Sequence, residues 1–170
     1  VLGSVEVSSR IPVGGVVLFE SPTLGAAGVG ESAPLRNLVV PLTRDVDAGI
    51  DTGIAAANTS DNPVTMFVTV RNGTGTVVAG PVAVGLEPRE RLAEFPNQRR
   101  LDLNLPKRFS GSLWIRVRET AGAVAFTVIR QSPGVLTTFP AIARPNPVTP
   151  FNTVSQLHCN THIPVIILER

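Results

Sequence analysis

Two histidines and one cysteine lie close together near the end of the sequence: His158, Cys159 and His162. In an extended strand both imidazoles project from one face and the thiol from the other, whereas a helical turn brings all three together. Zinc binds such side chains but usually takes four ligands, and the sequence has no other His or Cys. Three interpretations stay open: zinc shared between subunits, a contact or disulfide between chains at Cys159, and an ordinary tail segment.

Nucleophilic catalysis requires a base within hydrogen-bond reach of the nucleophile. His158 and His162 are the only histidines, and both lie outside the repeated part of the sequence. The sequence also lacks a G-x-S-x-G elbow, a phosphate-binding loop and a dinucleotide-binding fingerprint. We therefore expect a protein that is not an enzyme and that binds no cofactor.

Three aspartates, Asp45, Asp47 and Asp51, follow one another in the spacing D-x-D-x-x-x-D. Carboxylate oxygens are the ligands that Ca²⁺ prefers. Gly49 stands where the EF-hand pattern has an acid or an asparagine, so the match is incomplete. The segment is interpreted either as a calcium site or as a solvated linker.

Trp114 is the single tryptophan, and Arg116 and Arg118 follow it at alternate positions. Alternation places these three side chains on one face of a strand. The opposite face is apolar and consists of Leu113, Ile115 and Val117. An outward tryptophan flanked by arginines has three uses: packing within the chain, an interface with another chain, or stacking on a small ligand such as a sugar.

Composition limits the class of protein. The 170 residues are 43% hydrophobic and 16% charged, which is typical of a folded domain. A net charge of +2 is too small for a nucleic-acid-binding surface, although the pI is near 9.5. No apolar run reaches the length of a transmembrane helix. The sequence has no initiating Met and no leader, so we expect it to begin after processing or inside a longer precursor.

Short apolar runs punctuated by Gly and Pro predict many strands, with the clearest hairpin turn at Asn72-Gly73. We therefore expect an all-β, antiparallel, Ig-like β-sandwich. Residues 13–19 are nearly all apolar, which predicts a strand covered on both faces. Glu87 to Phe95 is predicted to form one or two turns of helix.

An internal repeat organises the sequence. Aligning Gly3 with Gly111 without a gap matches Gly-Ser with Gly-Ser and keeps the following apolar positions in register. The sequence thus predicts a partial β-unit at 1–44, carrying only the closing strands of a repeat, and a complete sandwich at 45–141. Residues 142–170 are predicted to form a Pro-rich linker followed by an apolar strand.

Several segments resemble a repeat of long secreted bacterial surface proteins, a β-sandwich with no assigned chemistry. They are TGIAAANTS at 52–60, PVTMFVTVRNGTGTVV at 63–78, and FSGSLWIRVRETAGAVAFTVIRQ closing on LTTFP at 109–140. The likeness covers 51–141 and, as a partial copy, 1–42; Pro96 interrupts the place where similar modules often have a short helix. It implies a β-sandwich and an extracellular setting, and it brings no catalytic residues.

The partial first unit should need β-structure from elsewhere to cover its apolar face. The apolar run Ile163–Leu168 fits that need, since strand addition supplies main-chain hydrogen bonds together with side chains. Between chains such a contact is heterologous and propagates into filaments. The sequence thus predicts a pilus-like extracellular homopolymer formed by donor-strand complementation. The alternatives are an adhesion module that binds a surface glycan or protein, and a spacer domain of a larger secreted protein. The predicted interface residues are Val5, Val7, Val16, Leu18, Trp114, Arg116, Arg118, Ile163, Val165, Ile166, Ile167 and Leu168.

Overall fold

The computed structural model describes residues 10–11, 15–21, 25–30, 32, 34–119 and 124–143. The predictions made for Val5 and Val7, for the zinc candidates His158, Cys159 and His162, and for the apolar run Ile163–Leu168 fall outside these residues.

The described residues form eleven β-strands and no helix. In chain order they are β1 (Val16–Ser21), β2 (Gly25–Gly30), β3 (Asn37–Asp45), β4 (Asp51–Asn58), β5 (Val64–Asn72), β6 (Val77–Leu86), β7 (Arg91–Glu94), β8 (Arg108–Val117), β9 (Val124–Ser132), β10 (Val135–Pro140) and β11 (Ile142–Ala143). One sheet has the order β10-β9-β4-β7, a second has the order β11-β3-β8-β5-β6, and β1 and β2 form a hairpin. All pairs are antiparallel, and the predicted all-β sandwich is confirmed.

The core lies between the four- and five-stranded sheets and follows directly from alternation along the strands. In β5 every second side chain, from Val64 to Val70, is buried, while the residues between them are half-buried. Burial of one such side chain stabilises the fold by about 2 kcal/mol. The largest fully buried side chains of this core are Phe126, Leu38, Leu42, Ile54, Met66, Leu86, Leu101 and Leu113.

The hairpin β1–β2 covers the outer face of the four-stranded sheet and adds a third layer. Ala27 and Val29 of β2 are buried and cluster with Ala55, Ile129 and Leu136 of that sheet. This cover explains why β4 and β9 are buried on both faces and therefore have nearly continuous apolar sequences.

Strand β3 belongs to the same sandwich as the strands that follow it. It pairs with β8 from Asn37↔Arg116 to Asp45↔Arg108, so residues 37–45 do not close a separate unit as the predicted boundary at 44 required. Leu38, Val40 and Leu42 are 0–1% exposed in the common core. The expectation that this stretch needs an external cover is wrong, because β8 and β11 pair with it and the facing sheet covers its apolar side chains.

Two further local predictions are corrected. Glu87 to Phe95 forms a turn, in which the Glu90 N–H donates to the Glu87 carbonyl at 2.9 Å, and then β7. A single helical turn is marginal on its own, whereas β7 gains a full ladder with β4 and buries Leu92. The predicted linker from residue 142 begins as β11, which pairs with Val39 and Leu38 of β3.

The connection between β7 and β8 lines the core without forming a strand. Leu101, Leu103 and Leu105 are buried, and the residues between them, Asp102 and Asn104, adopt positive φ angles of 34° and 47°. Asp and Asn tolerate this region better than most residues because their short side chains bond locally. The three leucines therefore make this connection part of the core.

Candidate functional site

The outer face of the five-stranded sheet carries the predicted tryptophan. Trp114 points away from the core, as alternation in β8 predicts, and is half-buried. The guanidinium carbon of Arg71 lies 4.7 Å from the centre of its ring, and the indole Nε1 donates to Ser112 Oγ at 2.9 Å. The ring is therefore held by two neighbours on its own face, Arg71 and Ser112.

Arg116 and Arg118 lie further along the same face and are exposed. Their guanidinium carbons lie 5.6 and 4.9 Å from the centre of the Phe67 ring. We refer to Phe67, Arg71, Trp114, Arg116 and Arg118 together as the Arg–aromatic face. Sequence reasoning missed Phe67 and Arg71, although both alternate with the buried residues of β5, because only the β5–β8 register shows that they lie beside β8.

A cleft of about 360 Å³ opens on this face. Its rim is mixed, with guanidinium, amide and hydroxyl groups beside two aromatic rings. The lining residues are Asn37, Leu38, Phe67, Thr69, Arg71, Pro81, Trp114, Ile115 and Arg116.

The positive charge of the Arg–aromatic face is neutralised only in part within the described part of the chain. No described carboxylate forms a salt bridge with Arg71, Arg116 or Arg118. Glu119 is close, but its Oε2 accepts the Thr65 N–H at 2.7 Å. Burial would raise the pKa of Glu119, yet this hydrogen bond and the charge of Arg118 hold it below its usual value.

The three aspartates of the predicted calcium site face cations and do not converge. Asp51 Oδ2 lies 2.5 Å from Arg44 Nη1, while Asp45 and Asp47 lie 3.4 and 3.7 Å from the Arg108 guanidinium. No group of three or more His, Cys, Asp or Glu in the described ranges is placed to hold a metal ion. The linker interpretation fails as well, because Asp45 and Ile50 exchange two backbone hydrogen bonds of 2.8 and 2.9 Å across a tight loop.

Beside this loop lies a second cleft, of about 310 Å³, lined by Asp51, Arg44 and the amide side chains of Asn97, Gln98 and Gln131. Burial raises the pKa of Asp51, and the attraction of Arg44 offsets only part of that effect. The Arg44–Asp51 ion pair lies at the end of the sandwich where β3 turns into β4.

The predicted interface residues Val16 and Leu18 are exposed, at 66% and 75%. Each lies opposite a glycine of β2, Val16 opposite Gly30 and Leu18 opposite Gly28, so no cross-strand side chain covers either one. The expectation of a strand covered on both faces is therefore wrong for β1. Among the described residues, β1 pairs only with β2.

Other strand edges are closed by side chains. The Thr52 hydroxyl accepts the Thr43 N–H at 3.2 Å and donates to the Thr43 carbonyl at 2.9 Å, at the outer edge of β3. The Ser32 hydroxyl does the same for Phe126 of β9, with distances of 3.3 and 2.6 Å. Each hydroxyl bonds to the N–H and the carbonyl of one residue, Thr43 or Phe126, and an added strand would need these same two groups to pair there.

Prolines and short strands protect the remaining edges. Pro41 in β3 and Pro81 in β6 have no N–H to offer an added strand, and Arg100 donates to the Gly85 carbonyl at the edge of β6. Strand β7 has only four residues. Strand β1, which among the described residues pairs only with β2, carries the two most exposed large apolar side chains described in any strand, Val16 and Leu18.

The structure brings together some of the predicted residues and separates others. Trp114, Arg116 and Arg118 share the Arg–aromatic face, whereas Val16 and Leu18 lie in the hairpin layer that covers the other sheet. The predicted residues therefore form two surfaces on different layers.

Comparison with protein-family models, with curated proteins and with solved structures gave no match. No helix in the described part of the chain is long and apolar enough to cross a membrane.

Proposed function

We propose that this chain is a non-enzymatic extracellular structural protein whose β-sandwich subunits associate head-to-tail into a surface filament. The observation that carries the proposal is the exposure of Val16 and Leu18 on an edge strand that pairs with a glycine-rich neighbour. The extracellular setting rests on the resemblance to repeats of secreted bacterial proteins.

An added strand would gain most at β1, whose second edge has no partner among the described strands. A two-stranded hairpin is weakly stable alone, and a third strand supplies backbone hydrogen bonds together with apolar contacts. The edges of β3, β6 and β9 offer less, since Thr52, Arg100 and Ser32 already occupy backbone groups there. The sequence placed the acceptor for strand exchange in the partial unit at 1–44, and we now propose β1 as that acceptor.

The proposed donor is Ile163–Leu168, an apolar run without polar interruptions. A donor segment and an acceptor strand are different parts of the subunit, so their contact between copies is heterologous and propagates unless it closes into a ring. The expected product is a filament.

The test is the mass of the full chain by light scattering over a range of concentrations. We expect mass to rise with concentration for the natural chain, and Leu18→Arg or deletion of 160–170 to leave a monomer with an unchanged melting temperature. Val78→Arg, which places the same charge on an exposed valine of β6, is the matched control and should assemble normally. Normal assembly of both Leu18→Arg and the deletion variant would overturn the proposal.

A second candidate function is adhesion, in which the module binds a surface glycan or protein. The Arg–aromatic face supports it, because exposed cations and a fixed tryptophan are typical of binding surfaces. Trp114→Ala should then abolish ligand binding while folding and self-association persist.

A further inference from the structure

We infer that the Arg–aromatic face binds an acidic polysaccharide, a linear glycan that carries carboxylate or sulfate groups. The inference deepens the second candidate function and rests on it, and it does not depend on self-association through β1.

Charge is the first argument. Arg71, Arg116 and Arg118 lie on one face of one sheet without a salt bridge to any described carboxylate. Elsewhere in the described chain Arg44, Arg89, Arg100 and Arg108 are paired with carboxylates, while Arg36, Arg99 and Arg130 have no salt bridge either. The Arg–aromatic face differs in bringing three arginines without such a partner together, and a ligand with several negative charges would complement them.

The guanidinium groups of this face are stacked on aromatic rings. Stacking on Trp114 and Phe67 fixes their positions through the ring faces and leaves most N–H donors unused. One donor is already used, since Arg71 Nη1 donates to the Gly75 carbonyl at 2.7 Å. A guanidinium carries five donors and binds carboxylate or sulfate oxygens in pairs, so these side chains are arranged before any ligand arrives.

The arginines of this face are spaced regularly along the strand direction. Arg116 lies in β8 and Arg118 directly follows the end of that strand, two residues later, which is about 6.7 Å along an extended chain; Trp114 lies the same distance before Arg116. Arg71 lies beside Trp114, since β5 pairs Thr69 with Trp114 and Arg71 with Ser112. The positive charges therefore form a row along the strand direction, which suits a chain of repeating anionic units better than a single phosphate group.

The shape of the surface favours a glycan over a protein. The cleft of about 360 Å³ is lined by two aromatic rings together with guanidinium, amide and hydroxyl groups. Aromatic rings beside hydrogen-bonding groups suit sugar rings, which have apolar faces and polar edges.

The experiment measures binding of the full chain to dextran sulfate, polygalacturonate and uncharged dextran at physiological ionic strength by calorimetry. We expect binding to the first two, none to dextran, and weakening as salt is added. Arg116→Gln combined with Arg118→Gln should reduce affinity at least roughly tenfold, because two charge-assisted contacts are lost. The matched control is Arg89→Gln combined with Arg130→Gln, which removes the same charge elsewhere and should change affinity less than about twofold.

Three results would overturn the inference: no binding to either polyanion, equal loss in the control variant, or tighter binding of a single-stranded oligonucleotide. The monomeric Leu18→Arg variant separates the two proposals. Retained polyanion binding there supports a site within one module, even if self-association has already failed its own test. Loss of binding in that variant contradicts a single-module site.

Discussion

At the scale of single residues, two hydroxyl groups substitute for strands. Thr52 and Ser32 each satisfy both the N–H and the carbonyl of one residue at a strand edge, Thr43 and Phe126 respectively. A buried backbone group without a partner costs about 1–3 kcal/mol, so these hydroxyls stabilise the fold as well as closing its edges.

Thr52→Val keeps the shape of the side chain but removes both hydrogen bonds to Thr43. We expect the free energy of unfolding, measured in urea, to fall by about 2 kcal/mol. Thr137→Val is the control, because that hydroxyl is exposed and its bond to the Arg130 carbonyl is long, at 3.4 Å; its effect should stay within about 0.5 kcal/mol. Equal effects of the two variants would contradict the role assigned to Thr52.

The ionisation of Glu119 should make the free energy of unfolding depend on pH. Its pKa in the folded chain lies below its usual value of 4.5, so the stabilisation is fully present above the unfolded pKa and is lost as pH falls through the folded pKa. Glu119→Gln should therefore lower the free energy of unfolding at pH 7 and have a smaller effect at pH 3. A difference between the two proteins that stays constant from pH 7 to pH 3 would show that the carboxylate is not held in this way.

At the scale of strands, alternation predicted what lies on each face but not which strands are neighbours. The Asn72-Gly73 hairpin and the two faces of β8 follow from local pattern, so Trp114, Arg116 and Arg118 were found from the sequence. Pairing of β3 with β8 joins residues about 70 positions apart, and no local signal encodes it. For the same reason Phe67 and Arg71 were missed, since they join the Arg–aromatic face only through the β5–β8 register.

The close approach of β5 and β8 gives a test at this scale. A Cβ on Gly111 would lie 2.2 Å from the Arg71 carbonyl oxygen, so Gly111→Ala must displace the ladder and should cost about 1–3 kcal/mol of stability. Gly85→Ala in β6 is the control, because open space surrounds that Cβ position, and it should change stability little. Urea unfolding of both variants measures the difference, and equal stability of the two would contradict the described register.

At the scale of the whole molecule, the described residues form three layers. The two large sheets form the core, the outside of one carries the Arg–aromatic face, and the hairpin β1–β2 covers the outside of the other. The repeat found in the sequence suggested two successive units, yet β3 completes the sheet of the strands that follow it. We propose polyanion binding at one outer layer and association between copies at the other.

The most direct test of the proposed association is amide hydrogen exchange along the full chain at low and at high protein concentration. Strand addition at β1 predicts that amides of Val16–Ser21 become more protected as concentration rises, while those at the edge of β6 do not change. Exchange of β1 that is independent of concentration in a sample that has visibly assembled would contradict the account.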